Sequence, residues 1–305
     1  MDKIQADLLK EISNLDKMPQ GAYNLRVDGK SIGRNSTEEI QIVPKQDKPG
    51  IDIYISKACQ QKSVHIPVLL SQAGLNDMVY NDFHIEDGAD VTIVAGCGIY
   101  NCSNKTSEHD GIHTFYIGKN AKVKYIEKHL GIGENNSNRV LNPTTIVFID
   151  NGGSMIMETT QIRGVSQANR KTVCTLNDNA KLVINEKILT SQVEKSKTNF
   201  KVTLKGKHSS AEIVSRSVAK DKSMQTFQSE MIGKNECYGR VECDGILVGK
   251  SQIISIPKIK AQNVNSSLTH EATIGKIAGD ELIKLQTLGL TKELAEQEII
   301  NGFLK

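Results

Sequence analysis

The chain has 305 residues, a formal net charge of +3 with acids and bases interspersed, 38% hydrophobic residues and no Trp. That is enough for one large domain or two ordinary ones, each with a buried core. It excludes a basic stripe for nucleic acid and an aromatic base-stacking platform. No apolar run nears the roughly 20 residues that a membrane-spanning helix requires.

The opening MDKIQADLLKEISNL has no apolar leader stretch, so a cytoplasmic location is expected. In that reducing compartment the cysteines at 59, 97, 102, 174, 237 and 243 are expected as thiols, some buried and one or two reactive. Ile4, Leu8, Leu9, Ile12 and Leu15 recur near the 3.6-residue period, which predicts a short N-terminal helix over 2–15 capped by Asp2. The rest of 1–50 is polar and punctuated by Gly and Pro, a connection with a short strand or two.

From 51 the period becomes two, with Ile51, Ile53 and Ile55 alternating with Asp52 and Tyr54. Short strands then recur, each introduced by a small or turn-forming residue. The spacing is 32 residues from Ala89 to Ala121, 32 from Ala121 to Gly153, and 27 from Gly153 to Ala180. Units of strand and turn with no helical pattern bury their apolar faces only by stacking. This predicts an all-β core over 51–268, a parallel β-helix, with a β-sandwich as the alternative. An open solenoid end needs a cap, and the N-terminal helix is the candidate.

Residues 269–305 form the C-terminal helical hairpin. Asp280 caps a first helix that Gly289 stops, and Thr291 begins a second that ends at Gly302-Phe303. Leu282, Leu285, Leu288, Leu290, Ile299, Ile300 and Phe303 are more apolar groups than a hairpin hides internally. They either pack on the β-domain or dock a partner.

Three constellations carry chemistry. GILVGKS at 245–251 mimics a phosphate-binding loop, but it has three residues between its glycines instead of four, and alternating strand sequence with Pro257 follows. It reads as a turn between strands. Cys97, Cys102, His109 and His113 are zinc-type ligands at a spacing shorter than a finger's; the alternative is turn residues with Cys97 buried. With His129, the two histidines also suit a lateral face that binds metal transiently. Cys243 and the His270–Glu271 pair supply thiolate, imidazole and carboxylate near the change from β to helix. That set suits iron or a Cys-His nucleophile, and equally a small buried thiol and a helix-cap region.

ECDGILVG (242–249) and THEATIGKIAGDELIKLQTLGLTKELAEQEIINGF (269–303) resemble the C-terminal half of the SufB/SufD family, scaffolds of the SUF system for iron–sulfur cluster assembly. GCGIYN (96–101), GKNAKVKYIEKH (118–129) and SVAKDKSMQTFQSEMIGKNECYGRVECDG (217–245) resemble its core strands, so the likeness covers roughly 85–305. It implies a right-handed parallel β-helix whose C-terminal helices dock SufC, an ABC-type ATPase, through Leu282, Leu285, Leu288, Leu290, Ile299 and Phe303. It implies a transient cluster, [4Fe-4S] or [2Fe-2S], at a junction between two β-helices. The family's thiol falls on Cys243, its glutamate on Glu271 and its histidine on His270. Both His270 and Glu271 are present, so the chain is SufB-like at that site.

Set beside larger SufB proteins, the chain is expected to be a short form in which their long N-terminal region is reduced. A short chain with both halves of the site implies a homodimer in place of the SufB–SufD pair. The expected function is a non-enzymatic scaffold that receives sulfur from a donor, with ATP hydrolysis in the partner. A structural SufD-like subunit and a carbohydrate-active β-helix enzyme are the alternatives.

Overall fold

The computed structural model describes residues 2–13, 15, 19–134 and 137–305. Helix α1 (Lys3–Ser13) is followed by twenty strands and two helices, α2 (Gly279–Thr287) and α3 (Lys292–Phe303). The strands form two ten-membered sheets. The first is β2 (Lys30–Asn35), β1 (Ala22–Val27), β5 (Gln60–Leu70), β7 (Asp90–Asn101), β9 (Lys122–Gly133), β12 (Ser154–Arg163), β14 (Lys181–Thr190), β16 (Ser209–Ala219), β18 (Cys237–Leu247) and β20 (Ser266–Lys276). The second is β3 (Ile40–Pro44), β4 (Gly50–Ile55), β6 (Asn76–Ile85), β8 (Thr106–Ile117), β10 (Asn138–Leu141) with β11 (Thr144–Ile149), β13 (Gln167–Leu176), β15 (Lys195–Leu204), β17 (Met224–Gly233) and β19 (Gln252–Ala261). The chain alternates between the sheets, giving a parallel β-solenoid of about eight turns.

The spacing read from sequence is the register of this solenoid. Asp90 pairs with Lys122, Lys122 with Ser154, and Ser154 with Lys181. Each turn places one residue at the same corner in the left-handed conformation: Gly88 (φ 77°), Asn120 (55°), Gly152 (70°), Asn179 (57°) and His208 (55°). Gly and Asn tolerate that φ, which is why they recur there. Side chains of alternate residues fill the space between the sheets. Phe83 and Phe115 stack inside with ring centroids 4.4 Å apart.

The β-structure is longer than expected at both ends. Between 20 and 50 the chain carries three strands, not a connection with one or two. Asp28 and Gly29, both at positive φ, form the two-residue turn of the β1–β2 hairpin. Strands β2 and β3 run antiparallel to their neighbours and finish this end of the solenoid. Helix α1 is therefore not the cap. Asp2 does cap it, accepting from the Gln5 N–H at 2.8 Å. The helix lies across the outer face of the first sheet, where Leu8, Leu9 and Ile12 pack with Leu25, Val27, Leu69 and Leu130. Gly96 and Gly98 make the shelf, since a Cβ on Gly98 would sit 3.0 Å from Leu8.

At the other end β20 runs to Lys276, past the boundary expected at 268. Ala278 rather than Asp280 precedes α2, and no side chain caps it. Thr291 does cap α3, accepting from the Leu294 N–H at 3.3 Å. Gly289 ends the first helix at φ 94°.

Candidate functional site

The C-terminal end of the solenoid is open. Strands β19 and β20 are the last in their sheets, each with one edge unpaired. Apolar side chains stand half-exposed there, among them Ile254, Ile256, Ile259 and Ile274, and Val264 in the intervening turn is 99% exposed. Monomeric proteins seldom leave a bare sheet edge beside an apolar patch.

Alternation decides what each residue of this end can reach. Cys237, Gly239, Val241, Cys243 and Gly245 of β18 point inward. Val241 is level with His270, and Cys243 with Ala272. Cys243 and His270 therefore share the inner face. Glu271 is level with Glu242 on the outer face, 63% exposed, where Arg240 donates to it at 3.0 Å and to Glu242 at 2.6 Å. Within one chain the three expected ligands do not meet, because neighbouring residues of a strand face opposite sides. His270 and Glu271 also lie in mid-strand, not at the passage from β to helix.

Cys243 is fully buried. Burial pushes its thiol up to about 11, with the Ser255 hydroxyl pulling the other way. Ser255 lies on β19 in register with the buried Phe227, so it too faces inward. The Ser255 Oγ and the His270 Nε2 are buried atoms without a conventional protein hydrogen bond. Burial lowers the His270 pKa, leaving a neutral imidazole able to donate a lone pair. A thiol, an imidazole and a hydroxyl thus face inward on β18, β20 and β19, the last three strands of the solenoid.

A buried polar row leads to this group. Glu127, Thr159, Glu186, Ser215 and Cys243 occupy one level on successive strands of the first sheet. Strands spaced about 4.8 Å apart make that row roughly 19 Å long. Ser215 donates to Glu186 at 2.8 Å and Thr198 donates to it at 2.9 Å. Arg170, inside the solenoid, is hydrogen-bonded to Glu127 and lies 3.8 Å from Glu186. Burial alone would raise the Glu127 pKa, but Arg170 and His129 hold it well below the usual carboxylate range. Nothing in residue spacing singled out Glu127, Arg170 or Glu186. Their signal was phase: each falls where its strand's alternation calls for an apolar residue.

Cys97, His109, His113 and His129 are also internal, and Cys102 is exposed outside. The zinc constellation is therefore divided, and the histidines line the interior instead of a lateral surface. His109 Nδ1 bonds Asp77 at 3.1 Å. His113 accepts from Asn81 at 3.3 Å on Nε2 and donates through Nδ1 to Tyr125 at 2.9 Å, a tautomer assigned from the network. Burial depresses the His113 pKa to about 4 and lifts the Cys97 thiol well above its ordinary value. Among the described residues, no three His, Cys, Asp or Glu side chains of one chain are grouped to hold a metal ion.

The helical hairpin folds back along the solenoid. Ala295 and Ile300 are its buried residues, and Lys220 pairs with Glu296 at 3.1 Å. Leu282, Leu285, Leu290, Ile299 and Phe303 are half-buried. Leu288, Ile283 and Leu294 are exposed, at 81, 58 and 53%. No helix among the described residues is long and apolar enough to cross a membrane.

Comparison with known proteins agrees with this architecture. The chain is 26% identical over 264 residues to an iron-sulfur cluster assembly SufBD family protein of Archaeoglobus fulgidus, covering 85% of this chain and 70% of that one. A relative of the same description from Pyrococcus horikoshii is 25% identical over 279 residues, covering 90% and 84%. One from Methanothermobacter thermautotrophicus is 27% identical over 267 residues, and the match spans only 61% of its length. Residues 72–303 match the family model for the SUF system FeS cluster assembly SufBD core domain, and the chain belongs to that family.

Proposed function

We propose that the chain is a scaffold subunit on which iron–sulfur clusters are built at the open solenoid end, with the cluster as cargo. The observation that carries this is that Cys243, His270 and Ser255 face inward on the last three strands of the solenoid, two of which have unpaired edges. One chain offers a soft thiolate and a borderline imidazole there, too few donors for an iron–sulfur cluster. A second copy related by two-fold symmetry doubles the set to two thiols and two imidazoles, and covers the exposed edges at the same time. Glu271 adds a hard carboxylate from the outer rim.

A partner that moves the end is part of the reading. A thiol pushed up to about 11 stays protonated at neutral pH, whereas sulfur acceptance and iron ligation need the thiolate. The site is silent until the end opens and water enters. Strand β20 ends at Lys276 and α2 begins at Gly279, so force on the hairpin passes directly to the strand bearing His270. The exposed Ile283, Leu288 and Leu294 suit docking of a SufC-like ABC ATPase, whose ATP cycle supplies the motion. The chain itself then needs no catalytic group. It works in the cytoplasm and takes sulfur from a separate donor.

A second reading, a SufD-like structural subunit, draws on the outward position of Glu271. Anaerobic reconstitution with ferrous iron and sulfide separates the two. The expected outcome is a labile visible chromophore on a dimer, lost in Cys243→Ala and weakened in His270→Ala. A chromophore of undiminished intensity in Cys243→Ala overturns the assignment, and none in wild type, even with the ATPase and ATP present, favours the structural subunit.

A further inference from the structure

The second sheet carries on its outer face a feature that cluster assembly does not use. Tyr54, His84, Tyr116 and Phe148 are level with one another on β4, β6, β8 and β11. Their rings stack in one file with centroids 4.8, 5.2 and 5.6 Å apart and planes within 12° of parallel. The file is open to solvent: Tyr54, Tyr116 and Phe148 are 48, 45 and 44% exposed. Beside it runs a groove of about 770 Å³, bounded on its far side by the turn residues Glu86, Gly118 and Asp150. Stacking alone does not call for this exposure, since Phe83 and Phe115 stack inside the core.

Charge along the groove is one-sided. Its lining residues include Glu38, Glu39, Glu86 and Asp150 against Lys205, and Lys119 lies close to Asp150. Glu39 is engaged by Lys62. Glu86 and Asp150 each use one carboxylate oxygen on backbone N–H groups, of Lys57 and Asn151. The rest of the chain carries a net positive charge, so this acidic rim is local.

The spacing selects the shape of an occupant. A helix laid along the file presents a side chain every 5.4 Å turn, in step with the rungs. An extended strand repeats a face every ~6.7 Å and falls out of step after one rung. The other sheet shows the same pairing within the molecule: its outer face holds α1 through Leu8, Leu9 and Ile12. The aromatic file has no such cover among the described residues. We propose that it is a docking surface for an amphipathic helix of a partner protein, with apolar residues at helical spacing on the rings and Lys or Arg along the flank facing Glu86 and Asp150.

The test uses the full chain and a fluorescein-labelled 14-residue peptide of Leu and Lys with Leu on one helical face, beside a Leu/Glu counterpart. Binding is read by fluorescence anisotropy. The row itself continues as Thr175 and Thr203, so Tyr116→Thr and Phe148→Thr use residues this face already tolerates. Each is expected to weaken the Leu/Lys peptide roughly tenfold, as loss of a central aromatic anchor does. Glu86→Gln with Asp150→Asn is expected to weaken it about threefold and to flatten its salt dependence. Val193→Ser, at an exposed apolar residue in the turn after β14, should change nothing, and the Leu/Glu peptide should not bind. Absence of Leu/Lys binding to wild type, equal binding of both peptides, or indifference to the ring substitutions in variants with unchanged circular dichroism each overturns the proposal.

Discussion

Burial sets the reactivity of several thiols and imidazoles in this chain. Cys174 and Cys243 lose hydration inside the solenoid and are pushed up to about 12 and about 11, whereas Cys102 stands in solvent. The thiol assigned to cluster chemistry is thus among the least reactive in the closed state. The buried and half-buried histidines make a related point about acid. His113, His129 and His65 all have lowered pKa values, with burial the first cause, and His113 falls from 6.5 to about 4. Between those values the unfolded chain binds a proton that the folded chain refuses, so stability declines as pH falls. At pH 5 the cost is about 2 kcal/mol for a histidine shifted that far. The urea midpoint is expected to drop clearly from pH 7.5 to 5.0, and an unchanged or higher midpoint at pH 5.0 contradicts the buried neutral assignment. Sequence spacing found His109 and His113 but gave them the wrong side of the sheet. Counting alternate positions along β8 puts both in phase with the core residue Phe115 and predicts an inward direction.

Strand β20 ends at Lys276 and α2 begins at Gly279, so two residues join the last strand to the hairpin. The hairpin is held to the solenoid by the buried Ala295 and Ile300, by an ion pair between Lys220 and Glu296 with side chains 27 and 24% exposed, and by a hydrogen bond from Lys187 to the Lys305 carbonyl. Ion pairs so exposed are worth at most about 1 kcal/mol, so the apolar contact carries the attachment. Ile300→Asp is therefore expected to free the hairpin. Limited proteolysis should then cut between 277 and 305 at least tenfold faster, as docking free energy of ~1.4 kcal/mol or more is lost. The solenoid's own melting temperature should move little, and a large common shift of both signals would mean that hairpin and solenoid unfold together. At this scale the repeat was legible because the turn corner needs Gly or Asn once per turn. The last strand was misjudged because His270 stands at an inward level where earlier strands carry the apolar Val241, Ile213, Ile184 and Met157. The Asp28-Gly29 turn was a readable hairpin signal inside a stretch that looked too polar to be β.

The two ends of the molecule are finished differently. Antiparallel strands β2 and β3 close the first, and α1 and α3 pack along the flank instead of over an end. The last turn keeps two unpaired edges, half-exposed isoleucines, and a thiol and an imidazole inside. Which end stayed open was not readable from the chain, because the N-terminal helix looked able to cap an end and the apolar residues of the C-terminal hairpin fitted packing on the β-domain as well as docking. The solenoid was legible from its repeat; the division of Cys243 and Glu271 between opposite faces was not, since it depends on which phase of β18 and β20 meets the core. The central claim is that dimerisation through the open end and cluster formation on Cys243 are one event. Ile259→Asp tests it most directly, because Ile259 faces inward at the open edge in register with Met231 and touches none of the assigned ligands' identities. Sedimentation under anaerobic reconstitution should show this variant as a monomer with no chromophore, beside a coloured wild-type dimer. A monomeric Ile259→Asp chain that still binds the full complement of iron and sulfide would contradict the account.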